Sequence, residues 1–418
     1  MASTIAVEDL RVGMFVQLDG GWLSHPFPLS NFRIASAEQI QTLRGLGLQR
    51  VRWAPEKSDL PERREAAGVA ALPDPCPGRA DAVRDDPLQR ALAAQREAVQ
   101  LCERQYAEAA LAWRQAAEAV SARPQEAARA TQQLTRAIVD KMLDSQDIGI
   151  RLVSGGADRA ASHALNVGVI SLLIARTLGL PEPELLELGL GALLHDVGKT
   201  EVPERFRHAE EGFNHNETAA YRDHVAKGVA LGQRMGLSPG ALGVLAQHHE
   251  HADGSGFPLK LAGERISMSA RVVALVNRYD RLCNPQSRAA ALTPHEAVAL
   301  LFAQGRQRFD AAVLNAFIRM MGVYPAGSLV QLTDDRYALV IGVNSSRPLK
   351  PRVLVHDTQV ARHDALVLDL ETLPDLGIRR SLPAAKLPPA AIEYLDPRPR
   401  VAYFFENLHG AAEPEDAS

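Results

Sequence analysis

Residues 190 to 199 read Leu-Gly-Ala-Leu-Leu-His-Asp-Val-Gly-Lys, and this stretch decides how the rest of the chain is interpreted. An apolar run ends abruptly in His195 and Asp196, which Gly198 and Lys199 follow. The pattern predicts a helix from the protein interior that carries two types of metal ligand into a cavity. A second polar group, Gln-His-His-Glu-His-Ala-Asp-Gly-Ser-Gly-Phe-Pro at 247 to 258, also ends an apolar stretch. We interpret both places as one site, and the remaining chain as its scaffold.

The histidines are distributed unevenly along the chain. Thirteen are present, and five lie among small or apolar residues of one helical region, namely His163, His195, His224, His248 and His249. A single histidine in such a place is more often a hydrogen-bonded core residue, but burying five without a compensating role is costly. Imidazole and carboxylate together suit divalent iron, manganese or zinc. Because a carboxylate can bind two cations and a neutral imidazole cannot, Asp196 is the natural bridge of a two-metal site.

A two-metal site of this kind predicts phosphodiester hydrolysis, because paired ions polarise the phosphate and activate a water molecule at neutral pH. Lys199 lies one turn past the His-Asp pair and is suited to neutralise a phosphoryl oxygen; a plain surface lysine is the alternative. The turn at 253 to 258, Asp-Gly-Ser-Gly-Phe-Pro, directly follows the histidine pair and Glu250. We expect it on the lip of the same cavity, in contact with substrate, and a plain loop is the alternative.

Composition limits the class of protein. A length of 418 residues and an apolar content of 46% allow two or more domains. The net charge of -4 argues against a protein that coats a nucleic-acid polymer. The three cysteines have no paired spacing and are interpreted as reduced thiols. The N-terminus does not resemble a signal peptide, and the longest apolar stretch, Val167 to Ala175, is too short to span a bilayer. We expect a cytoplasmic protein outside the membrane.

Local patterns divide the chain into six predicted regions. These are a small α+β domain at 1–60, a linker at 61–86, a helical linker at 87–145, an all-α domain at 146–325, a small antiparallel β unit at 326–378 and a partly disordered C-terminal tail at 379–418. The helices predicted in the all-α domain are 158–178, 184–196, 217–235, 239–250, 268–283, 294–304 and 310–320. The helical linker either packs on the next domain or forms a homodimer, and the sequence does not choose between these.

The two motifs resemble a known family. His-Asp-Val-Gly-Lys at 195 to 199 and His-His-Glu-His-Ala-Asp-Gly-Ser-Gly-Phe-Pro at 248 to 258 are similar to the HD-GYP branch of the HD phosphohydrolase superfamily. The resemblance covers roughly residues 146 to 325. It implies a metal-dependent, all-α hydrolase of cyclic di-GMP with the product pGpG, in some cases GMP. Leu-Arg-Val-Gly-Met-Phe-Val at 10 to 16, followed by Trp22 and His25-Pro26-Phe27, resembles a domain of unknown function often found before HD-GYP domains.

The resemblance also implies roles for individual residues. One metal ion, iron or manganese, would be held by His163, His195 and Asp196, and a second by Asp196, His224, His248 and His249. Lys199 would face the scissile phosphate. The substrate lip would be formed by Asp253, Gly254, Gly256, Phe257 and Pro258.

The chain departs from the family pattern at the metal site. Asn277 stands where the family usually has an aspartate ligand. An amide oxygen can bind a cation, but it is neutral and holds the cation less strongly. Asp280, one helical turn away, is a candidate substitute, although it matches a different family aspartate. Arg159 replaces a glutamate that admits a third metal in some members, so we expect two ions at most.

Further departures concern substrate binding. Phe257 replaces the tyrosine that names the motif, which removes one hydroxyl and keeps the aromatic ring. The family's Arg-Pro-Tyr segment is lost around residues 286 to 287, and Arg288 or Arg281 is the candidate replacement. These departures keep a second hypothesis open, in which the chain is a catalytically weak or inactive receptor or interaction protein. A third hypothesis, hydrolysis of another nucleotide, is disfavoured by the Gly-Ser-Gly-Phe-Pro turn.

Overall fold

The computed structural model describes residues 3–18, 31–46, 48–58, 87–145, 147–156, 158–208, 212–344, 347 and 349–407. Several sequence-based predictions lie outside these residues: the linker at 61–86, the end of the tail from residue 408, and Trp22 and His25-Pro26-Phe27 of the N-terminal resemblance. The chain divides into two compact units, Met1–Arg90 and Ala91–Ser418.

The first unit is a small α+β fold, as the sequence predicts. Its elements are the strands β1 (Ser3–Ala6), β2 (Phe15–Gln17), β3 (Asn31–Arg33) and β4 (Arg50–Trp53) and the helix α1 (Ala37–Gly45). The strands form one antiparallel sheet in the order β1-β4-β2-β3. Ser36 caps α1, because its side chain accepts a hydrogen bond from the Gln39 backbone N–H. Val16, Ile34 and Leu43 are fully buried in the core of this unit.

The second unit is built mainly from helices. They are α2 (Pro87–Ala119), α3 (Pro124–Leu143), α4 (Arg159–Thr177), α5 (Glu182–Leu194), α6 (His215–Arg222), α7 (His224–Met235), α8 (Pro239–Gln247), α9 (Met268–Cys283), α10 (Pro294–Gln304) and α11 (Ala311–Met321). The helix predicted at 217–235 is therefore two helices that meet at Asp223. The helix predicted at 239–250 ends at Gln247, which leaves the histidine pair beyond its last turn.

The helices of the predicted helical linker pack on the all-α domain. Trp113 of α2 donates from its indole Nε1 to the carbonyl oxygen of Leu193, at 2.7 Å. The Tyr106 hydroxyl lies 2.9 Å from the Ser162 hydroxyl at the start of α4. Helix α3 packs against α5 and α7, and its buried face includes Leu134. Of the two alternatives that the sequence left open, the structure therefore describes packing on the next domain.

A buried lysine on α3 gives a prediction about stability. Lys141 is only 6% exposed, and burial lowers its pKa from 10.5 to about 8. Below pH 8 the folded protein carries the full cost of burying this charge; the cost falls as pH rises and is gone above 10.5, where both states are neutral. We expect Lys141→Met to raise the unfolding free energy by about 1–3 kcal/mol at pH 7. Urea unfolding of the unaltered and Lys141→Met proteins at pH 7 and 9.5 measures this gain in unfolding free energy. A gain at pH 9.5 as large as the gain at pH 7 contradicts the explanation.

Helix α4 passes through the middle of the second unit. Among the described residues it is the single helix whose length and composition would allow a membrane crossing. However, 72% of the apolar stretch of this helix is buried inside the protein. Asp158 caps the helix, because its carboxylate accepts hydrogen bonds from the backbone N–H groups of Ala160 and Ala161. The packing of α4 is that of a core helix in a globular domain.

An antiparallel sheet completes the second unit. Its strands are β5 (Ile148–Val153), β6 (Leu329–Leu332), β7 (Tyr337–Asn344), β8 (Arg352–Val355), β9 (Val367–Asp369), β10 (Ile378–Ser381) and β11 (Ala402–Asn407), and a short helix α12 (Pro389–Leu395) precedes the last strand. The order is β10-β6-β7-β5-β11, with β8 paired to β7 and β9. Strands β6, β7, β8 and β9 of this sheet lie within the small antiparallel β unit predicted at 326–378.

The sheet is larger than the predicted β unit, and two predictions are corrected. The region from residue 379, predicted as a partly disordered tail, contains strand β10's last residues, α12 and β11. Strand β11 pairs along its full length with β5, which the sequence placed in the all-α domain. The many prolines and alanines obscure the apolar periodicity of this region, so the sequence did not indicate its secondary structure. The run Tyr403-Phe404-Phe405 is nevertheless buried. Its partner strand is some 250 residues earlier, a distance at which local patterns carry no information.

Candidate active site

Ends of four helices deliver the candidate ligands to one place. His195 and Asp196 directly follow α5, His224 is the first residue of α7, and His248 and His249 directly follow α8. His163 lies in the second turn of α4. The side chains of these residues meet in one shared space, because these helix ends converge. The sequence prediction that functional residues lie at helix ends fits this arrangement.

Gly198 allows the backbone that follows Asp196 to pack closely against α7. Residues Val197–Glu201 form a short 3-10 helix packed on α7. A Cβ atom added to Gly198 would lie 2.0 Å from the His224 carbonyl oxygen and 2.4 Å from the Gly228 backbone nitrogen. Since no larger residue fits there, glycine lets the backbone after Asp196 approach the backbone at His224.

The Asp196 carboxylate lies at the centre of the cluster. Its Oδ2 atom is 3.4 Å from Nε2 of His163 and 3.4 Å from Nε2 of His195. Its Oδ1 atom is 3.5 Å from Nε2 of His224 and 3.8 Å from Nε2 of His248. The two oxygens therefore face two different sets of imidazoles. Lys199 donates to Oδ2 at 2.5 Å.

The candidate ligands form two groups that share Asp196. One group contains His163, His195 and Asp196, and the other contains Asp196, His224, His248 and His249. Within each group the ligand atoms lie within 4.8 Å of one another. These are the two sets that the family resemblance implies.

The outward nitrogens of the imidazoles fix how the rings are oriented. Nδ1 of His195, His224 and His248 donates to the carbonyl oxygens of Ala192, Tyr221 and Leu245, at 2.7, 2.5 and 2.9 Å. A carbonyl only accepts, so Nδ1 carries the hydrogen and Nε2 presents a lone pair to the centre. Orientation of this kind is the usual support of a metal-binding histidine.

Burial lowers the pKa of three imidazoles of the centre, whereas for His163 burial is outweighed by hydrogen bonds to Asp196 and Asp280, which raise the pKa. Burial lowers the pKa of His224 to about 4 and the pKa values of His248 and His249 well below the usual range. Burial alone would raise the pKa of Asp196, but the nearby Lys199 charge and the histidines hold it well below its usual value. Neutral imidazole and ionised carboxylate are the forms that bind metal ions.

The arrangement fits divalent cations. Nε2 of His224 lies 3.4 Å from Nε2 of His248 and 3.2 Å from Nε2 of His249, and the Nε2 lone pairs of His224 and His248 face each other. Oδ1 of Asp196 and Oδ1 of Asn277 are buried without a hydrogen-bond partner among the described residues. Buried acceptors that lack a donor are costly unless a cation satisfies them. We infer that the residues around Asp196 are suited to hold metal ions.

Asp280 positions a ligand and anchors the C-terminal strand. One of its oxygens accepts from Nδ1 of His163 at 2.6 Å. The other accepts from the side-chain amides of Asn166 and Asn284, at 2.6 and 2.8 Å. Both amides also donate to the carbonyl oxygen of Val401, just before β11. The Asp280 carboxylate thus uses three of its about four acceptor positions on protein donors, and one of these bonds orients the His163 ring.

The predicted substrate lip lies beside the second group of histidines. The Phe257 ring stacks on His249, with centroids 4.4 Å apart and an angle of 19° between the planes. Gly256 allows this approach, because a Cβ there would lie 2.5 Å from the His249 carbonyl oxygen. Gly254 takes a positive φ of 75°, and Asp253 and Pro258 are exposed. The structure therefore brings Gly256 and Phe257 against the histidine pair and leaves Asp253, Ser255 and Pro258 at the surface.

Three residues near the centre were not assigned from sequence to a definite role. Tyr221 is buried, with its hydroxyl 3.4 Å from Nε2 of His249. Arg281 donates to that hydroxyl at 2.5 Å. His208 is exposed, and desolvation together with the charges of Lys199 and Arg159 lowers its pKa to about 4. The sequence showed these as an ordinary aromatic, one of two candidate arginines and a loop histidine, and no motif distinguished them.

Arg288 is not brought to the centre. It begins a short 3-10 turn, Arg288–Ala290, and is exposed. In the part of the chain that the structure describes, its side chain forms no hydrogen bond or ion pair with the residues around Asp196.

An all-helical domain with a His-Asp pair and five converging imidazoles defines an HD-type phosphohydrolase domain. A family model described as an HD domain matches residues 117–313, and one described as a domain of unknown function (DUF3391) matches residues 3–131. A cyclic di-GMP phosphodiesterase of Pseudomonas aeruginosa is 31% identical over 85% of each chain. The response regulator RpfG of Xanthomonas campestris, also named a cyclic di-GMP phosphodiesterase, is 34% identical over 35% of this chain and 39% of its own.

A solved structure, an HDG"Y"P protein from Bdellovibrio bacteriovorus, covers 76% of this chain and 98% of its own, with 15% identity and a TM-score of 0.39. The chain belongs to the HD-GYP branch of the HD phosphohydrolase superfamily, a group of phosphodiesterases. Its motifs and its match to the Pseudomonas aeruginosa phosphodiesterase over 85% of each chain show this. The N-terminal resemblance and the fold class expected from sequence are both confirmed.

Proposed function

We propose that this chain hydrolyses cyclic di-GMP to pGpG, and further to GMP if the linear product rebinds. The observation that carries the proposal is the Asp196 carboxylate, whose two oxygens face two separate sets of imidazoles. The names of two relatives support the choice of substrate. We propose two divalent ions, iron or manganese, because imidazole-rich sites with one carboxylate suit these metals.

The residues of the chain divide the work in this proposal. When bound, the ions supply Lewis-acid chemistry that polarises the phosphodiester and makes water reactive at neutral pH. Asp196 holds both positions together, and the hydrogen-bonded Nδ1 atoms keep the imidazoles aimed inward. Lys199, 14% exposed and bound to Asp196, brings a positive charge within reach of a phosphoryl oxygen. The Phe257 ring, stacked on His249, excludes water from one side of the cavity.

Turnover and metal content, measured on one preparation, test the proposal. Full-length protein is purified with iron or manganese, its metal per chain is measured by mass spectrometry, and cyclic di-GMP conversion is followed by chromatography. We expect pGpG to accumulate, and chelator treatment to abolish the reaction until metal is restored. Metal-replete, folded protein without turnover would defeat the proposal.

A catalytically weak receptor is the second candidate, and Asn277 is the observation that favours it. The amide is buried, and its Oδ1 has no hydrogen-bond partner among the described residues. If this oxygen binds metal, a carboxylate in its place binds more strongly. We expect Asn277→Asp to tighten metal binding about 10-fold, in the range of single-ligand effects, and to change turnover at saturating metal by less than about 10-fold. Metal titration and initial rates measure both.

The matched variant Asn277→Ala removes the oxygen without adding charge, and we expect it to weaken metal binding. Opposite shifts from the two substitutions identify position 277 as a ligand. A gain in turnover of more than about 100-fold from Asn277→Asp at saturating metal would instead favour the receptor.

Two further parts of the proposal rest on the sequence alone. The cytoplasmic location remains a prediction. Homodimerisation through α2 and α3 also remains a prediction, since the contacts described for these helices, such as Trp113 with Leu193, lie within one chain. Sedimentation of the full chain measures the oligomeric state.

A further inference from the structure

Arg281 lies on the face of α9 that points to the centre. It follows Asn277 by four residues and Asp280 by one, so one turn of helix places it beside Asn277. Its Nη1 atom donates to the Tyr221 hydroxyl at 2.5 Å, and its guanidinium carbon lies 5.6 Å from the centre of the Tyr221 ring. The same hydroxyl is 3.4 Å from Nε2 of His249. Arg281 is therefore connected through Tyr221 to His249, a member of the second group of histidines.

No protein carboxylate neutralises this arginine in the part of the chain that the structure describes. Asp196 and Asp280 act on Arg281 through their charge, but neither forms an ion pair with it within 4 Å. Asp196 accepts from Lys199, and Asp280 accepts from His163, Asn166 and Asn284. Burial alone would lower the pKa of Arg281, but the Tyr221 hydroxyl and the charges of Asp196 and Asp280 raise it, so the guanidinium stays charged. A half-buried cation beside a site for metal cations is unfavourable unless an anion joins it.

Asn277 accounts for why Arg281 has no carboxylate partner on its own helix. A carboxylate at 277 would stand four residues before Arg281, the spacing at which acidic and basic side chains pair on a helix. The neutral amide leaves the arginine without that partner. Hydrogen bonding to Tyr221 uses one of the five guanidinium N–H donors, so a fork of two donors remains for a phosphate group.

We infer that Arg281 is a substrate-binding residue. Its guanidinium, oriented by the Tyr221 hydroxyl, donates to a phosphodiester oxygen of a cyclic dinucleotide. This contact lies on the side of the centre formed by His224, His248 and His249. This inference rests on the proposed function and adds the contact that sets substrate affinity. Tyr221 is a positioning residue, because it acts through Arg281.

Equilibrium binding tests the inference without turnover. Cyclic di-GMP is titrated into chelator-treated, full-length protein by calorimetry, and KM, kcat and metal per chain are measured on manganese-loaded protein. We expect Arg281→Gln to raise Kd and KM by about 10- to 100-fold, the loss of a charged hydrogen-bonded contact, with metal per chain unchanged. Arg281→Lys should recover part of the affinity, because lysine keeps the charge and loses the fork. Tyr221→Phe should raise Kd by about 3- to 10-fold.

Arg319→Gln is the matched control, since Arg319 is an exposed arginine in the last turn of α11. We expect its Kd and KM to equal those of the unaltered protein. If Arg281→Gln binds cyclic di-GMP as well as the control, or loses metal in parallel with affinity, the inference is overturned and Arg281 is a structural residue. If the unaltered protein itself neither binds nor hydrolyses cyclic di-GMP, the proposed function fails, which is a different outcome.

Discussion

Replacing Asp196 by asparagine is expected to remove metal from the whole centre and to lower turnover of cyclic di-GMP by more than about 1000-fold, or about 4 kcal/mol of transition-state stabilisation. The substitution keeps the shape of the side chain and removes the charge that both histidine groups share. It also puts an amide donor next to imidazoles and leaves Lys199 without its anionic partner, at present 2.5 Å away. Metal per chain and pGpG formation are measured on the same sample.

Asp223→Asn is the matched control for this experiment. Asp223 precedes His224 but is exposed and pairs with Lys227 at the surface. The same loss of one carboxylate there should leave metal content and turnover within about twofold, as is usual for surface ion pairs. An Asp196→Asn protein that is folded and keeps both metal and activity would exclude Asp196 as the shared ligand.

Removing the last strand is expected to disrupt the centre from a distance. A chain that stops at residue 397 lacks β11, which pairs with all six residues of β5, and lacks the buried Phe404. It also lacks the Val401 carbonyl that accepts from Asn166 and Asn284, the two amides that hold Asp280. Losing one buried phenylalanine alone costs about 3–5 kcal/mol. We expect this chain to unfold at least 10 °C lower, or to be insoluble, and to retain little metal.

A chain that stops at residue 407 is the comparison, because it keeps every hydrogen bond described for β11. We expect it to match the full chain in melting temperature and in metal content. Phe404→Ala serves as a milder variant if the shorter chain cannot be purified. Unchanged stability after removal of residues 398 to 418 would show that β11 does not support the domain.

The sequence predicted the helices well, and it also picked out the candidate ligands that the structure brings together, because both depend on local patterns. The His-Asp pair ends an apolar helix, and the predicted bounds of α4, α9 and α10 agree with the structure within a residue or two. The split between α6 and α7 was missed, since Asp223 keeps a helical backbone and gives no breaker signal. Strand β11 was missed because its partner is distant and its neighbours are rich in proline.

The roles of polar residues around the ligands were harder to predict. Asp280 looked like a candidate ligand one turn from Asn277, and the structure has it accept hydrogen bonds from His163, Asn166 and Asn284. Arg281 and Arg288 were equal candidates in sequence, and only the fold places one beside Tyr221. Such roles depend on which elements meet in space, and chain spacing alone does not encode that.

The contact of Val401 with Asn166 and Asn284 has a consequence for synthesis of the protein. During translation, residues 158 to 283 leave the ribosome long before residue 401 does. Until then the amides that hold Asp280, and through it His163, lack their carbonyl acceptor, and β5 lacks its outer neighbour. A nascent chain therefore completes this supporting network only after residue 401 has left the ribosome.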